Sequence, residues 1–137
     1  MESSSAWPYQ PVGDGFESAG WPWVGGEVRE RYVTGPLAAA GYGYLAEIID
    51  SVLASGVSDQ LLVSTSMHDL VIVPAHAKAG EWESIFVVSP ANYPTLLGHM
   101  GLAFWSERRR WEYRQYKVED AVDAFWDMVG EKFGITR

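Results

Sequence analysis

Apolar positions follow a helical period near residues 44–53 and 119–133 and run in short blocks between them. Leu45, Ile48, Ile49, Val52 and Leu53 recur at i, i+3, i+4, i+7 and i+8, the spacing of one buried helix face. They predict a helix over 36–56. Pro36 suits its first position, where a missing N–H costs nothing, and Gly56 stands where a left-handed C-cap would fall. Gly41 and Gly43 weaken the first turns and move the expected start towards Tyr44. The period then shortens. Gln60–Ser66 and Leu70–Pro74 are rich in Leu, Val and Ile, and Met67-His68-Asp69 between them is short enough for a hairpin turn. A third strand is expected over Glu81–Ser89, and Ala91–Met100 is expected to hold a short helix or a turn about Pro94. Gly101–Trp105 and Trp111–Val118 form a second hairpin across Ser106–Arg110. Along its outgoing strand Trp111, Tyr113 and Gln115 alternate with Glu112, Arg114 and Tyr116, which predicts one packed face and one wet face. Val122, Phe125, Trp126, Val129 and Phe133 make the last apolar helical face, and Gly134 ends it.

This order predicts an α+β fold: an antiparallel sheet of about five strands with an N-terminal and a C-terminal helix packed on it, in the order α-βββ-(α)-ββ-α. One domain is expected over 36–137. Residues 1–35 differ in composition, carrying Pro8, Pro11 and Pro22 with Trp7, Tyr9, Phe16, Trp21 and Trp23 among frequent glycines. Proline and glycine punctuate this stretch too often for a long element, so it reads as an extended arm with one short strand at most, over Glu27–Thr34. Its aromatic side chains must lie on something, either the chain's own domain or a partner. Exposed tryptophan is costly and is enriched at binding hot spots, which makes Trp21 and Trp23 candidate partner-binding residues.

Composition narrows the classes. With 137 residues the chain supports one modest core, and 47% apolar content excludes disorder for most of it. Eighteen carboxylates against 10 Lys and Arg give a formal charge of −8, which argues against a nucleic-acid binder. No cysteine is present, so disulfides, thiolate metal sites and cysteine nucleophiles are excluded. The first residues show neither a basic segment nor an apolar run, and no stretch approaches bilayer-spanning length. A cytoplasmic protein with no membrane partner is expected.

Chemical motifs are sparse. Gly41-Tyr42-Gly43-Tyr44-Leu45-Ala46 matches a dinucleotide-binding turn in spacing, but Gly-Pro-Leu-Ala-Ala-Ala precedes it where that turn needs a buried strand. His68, His76 and Asp69 are the only residues that spacing could bring towards a metal, and His99 stands apart near a loop. Ser66, His68 and Asp69 are adjacent in sequence, which is not the geometry of a catalytic triad, and no G-x-S-x-G elbow occurs. Glu81 and Glu83 share a strand side as an ordinary wet face would. No cofactor, metal site or catalytic residue is expected, and the chain reads as non-enzymatic.

Charge distribution carries more. No Lys or Arg occurs between Tyr32 and His76, whereas Arg108, Arg109, Arg110, Arg114 and Lys117 cluster around the second hairpin. Glu119, Asp123, Asp127 and Glu131 recur at i, i+4, i+8 and i+12 on the last helix. Like charges at i, i+4 cost a few tenths of a kcal/mol per pair, so the row is slightly unfavourable unless a cation lies opposite. It has three readings: a solvated face, a set paired with Arg108–Arg110, or the docking face for a basic partner. Its four residues join Trp21 and Trp23 as candidate partner-binding positions. In physical type this is similar to immunity proteins and other inhibitors, which cover a basic site with carboxylates. The order of elements over 36–134 also resembles that of small acidic secretion chaperones, which pair as dimers and hold a client segment, although the leading arm departs from it. The function expected is therefore an acidic protein-binding module of immunity, inhibitor or chaperone type, acting on a basic partner protein. The alternative is an assembly subunit of virion-connector or tail-completion type, a homo-oligomer that clasps copies of itself with the arm.

Overall fold

A computed structural model describes residues 41–66, 69–75, 83–89, 95–106 and 110–137. The arm over 1–35, the possible strand at Glu27–Thr34, Pro36 and the turn around Pro94 lie outside the described residues. Helix α1 (Gly43–Leu53) leads into five strands, β1 (Leu61–Ser66), β2 (Asp69–Pro74), β3 (Ser84–Val88), β4 (His99–Ser106) and β5 (Arg110–Lys117), and helix α2 (Ala121–Phe133) follows. Single 3-10 turns over Ser58–Gln60 and Val118–Asp120 join the helices to the sheet. The strands form one antiparallel sheet in the order β1-β2-β3-β4-β5. This is the α+β architecture with terminal helices that the sequence predicts.

Each element has a local cause. α1 begins at Gly43, since Gly41 sits at φ 91° and cannot continue a right-handed helix inwards. Its end falls at Ala54, earlier than Gly56, which lies two residues on at φ 82°. α2 stops at Gly134, whose φ of 70° is the left-handed C-cap conformation, with its N–H bonded to the Gly130 carbonyl at 3.1 Å. No helix occurs over the described part of 91–100; residues 95–98 turn directly into β4.

Both helices cover one face of the sheet. The alternation of β1–β4 places Val63, Ile72, Ile85 and Phe104 in one cross-strand row and Leu70, Val87 and Leu102 in the next. These residues share a single buried cluster with Leu45, Ile48, Ile49 and Val52 of α1 and Phe125, Met128 and Val129 of α2. Two polar links fix the helices in that layer. Trp126 Nε1–H donates to Ser51 Oγ across the helix pair at 2.9 Å, and Tyr44 Oη donates to the Val88 carbonyl at 2.5 Å.

Two expectations are corrected. Asp69, expected in a hairpin turn, is the first residue of β2 and is fully buried, its Oδ1 accepting the Ser89 N–H at 2.5 Å. Glu112 and Arg114, expected on a wet face, point to the helix side of β5 and bond to each other and to α2. The alternation itself is as expected. The charged set faces α2, and Trp111 and Tyr113 take the opposite face with Val71, Phe86, Val88 and Ala103.

Candidate functional site

α2 turns its apolar side inward by burying Ala121, Ala124, Phe125, Trp126, Met128 and Val129, and so turns Asp123 and Asp127 outward. Glu119 lies in the 3-10 turn just before the helix and is exposed, as is Asp120. Carboxylates at a helix start are favoured by the unpaired backbone N–H groups there. α1, packed beside α2, adds exposed Glu47 and Asp50 and carries no Lys or Arg. The outer surface of the helix layer is therefore acidic, with Lys132 and Arg137 as the only cations between Gly41 and Gln60 or between Val118 and Arg137.

The candidate row divides by its partners. Glu131 belongs to an ion-pair network: it accepts from Arg114 Nη1 at 2.9 Å and Nη2 at 2.8 Å, and lies 3.2 Å from Lys132 Nζ. Arg114 also holds Glu112 through Nε at 2.9 Å and through Nη2, and Lys132 Nζ donates to Glu112 Oε1 at 2.9 Å. Lys132 is almost wholly covered and lies 4.8 Å over the Phe104 ring, so its stem packs on the sheet while its ammonium serves the network. Among the described residues the cation that meets the row from the strand facing α2 is Arg114, and it does so at Glu131. Arg108 and Arg109 lie outside the described residues, as does the side chain of Arg110.

Asp123 has a weak contact with Arg137, 3.6 Å between two exposed groups. Among the described residues, Glu119 and Asp127 have no ion-pair partner within 4.0 Å. Asp123 and Asp127 line an open cleft of about 430 Å³ with Trp126, Thr136 and Arg137. The Arg137 guanidinium stacks 5.3 Å from the Trp126 ring, covering its outer side. This cleft offers an aromatic floor, two carboxylates and one displaceable arginine.

Titration follows the same division. Hydrogen bonds from Arg114, then from Lys132, bring the Glu131 carboxyl down to about 2. The Lys132 hydrogen bond likewise lowers Glu112 against the opposing effect of burial. Because the folded value of Glu131 lies below its unfolded value near 4.5, its contribution is complete above that pH and is lost as pH falls towards 2. Glu131 is about half exposed, so solvent screening keeps this contribution under about 1 kcal/mol. Glu131→Gln is expected to lower the urea midpoint slightly at pH 7 and to converge with the native protein by about pH 2. A gap that persists unchanged at low pH would show the side chain acting through packing.

Trp21, Trp23, His68 and His76 lie outside the described residues. His99 opens β4, and its Nδ1–H donates to the Leu97 carbonyl at 3.0 Å, a local turn contact. Tyr42 and Tyr44, within the glycine-rich motif, are buried as core residues. Among the described residues no group of His, Asp and Glu is arranged to hold a metal ion, and no helix is long and apolar enough to cross a membrane. The network of Glu112 and Arg114 with Glu131 and Lys132 escaped sequence reading, because its two halves are 17 to 20 residues apart across a turn. The signal available was the i, i+2 charge pair on β5 facing a like-charge row on the following helix. Family models, curated proteins and solved structures offer no match to this chain.

Proposed function

We propose that the protein is a non-enzymatic acidic binding module of inhibitor or immunity type, which engages a basic partner protein through the outer face of α2. The observation that carries this reading is the cleft edge. Asp123 and Asp127 stand exposed beside Trp126, and among the described residues Asp127 has no cation although Glu131, one turn on, is paired by two. A face that required only solubility gains nothing from aligned like charges, which repel along the helix. A face that meets a basic partner gains faster encounter and a fixed register from the same charges. Trp126 offers the partner an aromatic surface once Arg137 swings aside, and an incoming arginine or lysine can take its place over the ring.

Affinity capture with the native chain and with Asp123→Lys/Asp127→Lys tests this reading. Both side chains point away from the core, so the variant keeps the native unfolding free energy to within about 0.5 kcal/mol. The native chain is expected to retain a basic protein that leaves as salt rises, since exposed charge pairs are screened. The variant is expected to lose at least about tenfold in affinity for that protein, or about 1.4 kcal/mol. Equal capture by both chains, or recovery of only the protein itself as a salt-resistant oligomer, would overturn the reading and favour an assembly subunit.

A further inference from the structure

The second face of the sheet is also apolar. Cross-strand pairing sets Val71, Phe86, Ala103 and Tyr113 in one row across the middle of the strands, with Trp105 and Trp111 in the next. Phe86 meets Trp111 edge-on at 5.1 Å, and Trp111 lies 5.4 Å from Trp105. The Tyr113 ring leans across Gly101, where an added Cβ would come within 2.6 Å of its Cε1, so the glycine leaves the aromatic surface flat.

This face is not open to solvent. Val71, Phe86, Val88 and Ala103 are only 2%, 3%, 1% and 0% exposed, and none of Asp69, Phe86, Trp111 and Tyr113 is without a partner. Yet both described helices pack on the opposite face, in a separate cluster. A sheet face with nothing over it would expose a ring the size of Phe86 broadly. We propose that this face is the docking surface for the chain's own N-terminal segment, residues 1–35, with Trp21 and Trp23 as its anchors.

Length and chemistry select that occupant. Residues 36–40 only join that segment to α1, and the other undescribed stretches, 67–68, 76–82, 90–94 and 107–109, are short and tethered at both ends to strand termini, whereas the buried row crosses the strand middles. Five strands about 4.8 Å apart span roughly 20 Å, which about six extended residues traverse. The segment is far longer than that. Trp21 and Trp23 are two apart, so an extended backbone presents both to the same side. Pro8, Pro11 and Pro22 remove ladder donors and favour a chain that lies across a sheet over one that adds a strand to it. Aromatic surfaces are also the surfaces on which such pre-extended proline segments dock. The acidic face of α2 plays no part here, and the proposal stands apart from the binding function.

Photo-crosslinking in the full chain tests it. p-Benzoylphenylalanine is placed at 111, or at 105 as a second position, in an equal mixture of natural-isotope and 15N-labelled chains, and the adducts are mapped by mass spectrometry. The expected product joins the probe to a peptide within residues 1–35 of a single isotopic type. A mixed-isotope product assigns the face to a second copy; adducts confined to 76–82 or 90–94, or no adduct, assign it to other cover. Each of these overturns the proposal. Without any probe, Trp21→Ala/Trp23→Ala in the full chain should lower Tm by about 5–10 °C and raise anilinonaphthalene sulfonate fluorescence severalfold. No change in either would overturn it as well.

Discussion

Truncating Phe125 to alanine should cost about 3–5 kcal/mol of unfolding free energy, read as a fall in the urea midpoint at unchanged slope. Among the described residues Phe125 is the largest side chain that is completely buried, and it projects from α2 into the cluster shared with α1 and the sheet. Its ring meets Trp126 edge-on at 5.3 Å, so truncation also removes an aromatic contact and loosens the indole that donates to Ser51. Helix and sheet backbones hold the surrounding side chains in place, and the cavity cannot collapse fully. Set against a domain stability of about 5–15 kcal/mol, a loss of this size leaves the variant marginal. Leu97→Ala provides the contrast. That leucine is 100% exposed and its removal should shift stability by no more than about 0.5 kcal/mol. A Phe125→Ala loss below about 1 kcal/mol would mean that α2 does not close the core as described.

The helical face of Phe125 was legible in the sequence, because five apolar positions at one period have no competing explanation. The five strands were legible as blocks for the same reason. Their ends were not: β3 begins at Ser84 where Glu81 was expected, and β4 begins at His99 where Gly101 was expected. Strand ends depend on which neighbour supplies the ladder bonds, and Gly101, which by its residue type suggests a boundary, pairs with Val88 and Gln115 inside the sheet. Hydrophilic Glu112 and Arg114 point to a wet face for that side of β5, but it faces α2. Their neighbours are Glu131 and Lys132, brought over them by the turn at Val118–Asp120, and composition alone carries no trace of that turn. Asp123, Asp127 and Glu131 stand on α2 as their spacing predicts, whereas Glu119 falls in the 3-10 turn before it. The division of that row into a paired Glu131 and an exposed Asp127 was not legible, since that depends on where one arginine on the adjacent strand can reach.

Asp69 offers the sharpest test of a residue whose role only the fold reveals. Beside His68 in a short linker it has the look of a solvated turn acid, yet it is fully buried at the start of β2. Leu70 pairs with Val87, so the Asp69 carboxylate reaches just past the last paired rung to take the Ser89 N–H at 2.5 Å. It thereby continues the β2–β3 ladder by one bond after the backbone partners end. Asp69→Ala removes the acceptor and leaves a buried N–H facing a small void. A lost hydrogen bond and an unsatisfied buried donor together imply about 2–4 kcal/mol. Asp69→Asn retains an acceptor oxygen of the same reach and should lose clearly less. Amide exchange decides between this hydrogen bond and mere volume as the cause. Ser89 should exchange at least about tenfold faster in Asp69→Ala, with a smaller change in Asp69→Asn, while Val87, inside the ladder, moves only with global stability. Equal losses in both variants, with Ser89 protected in each, would assign the role of Asp69 to packing and not to its bond across the end of β3.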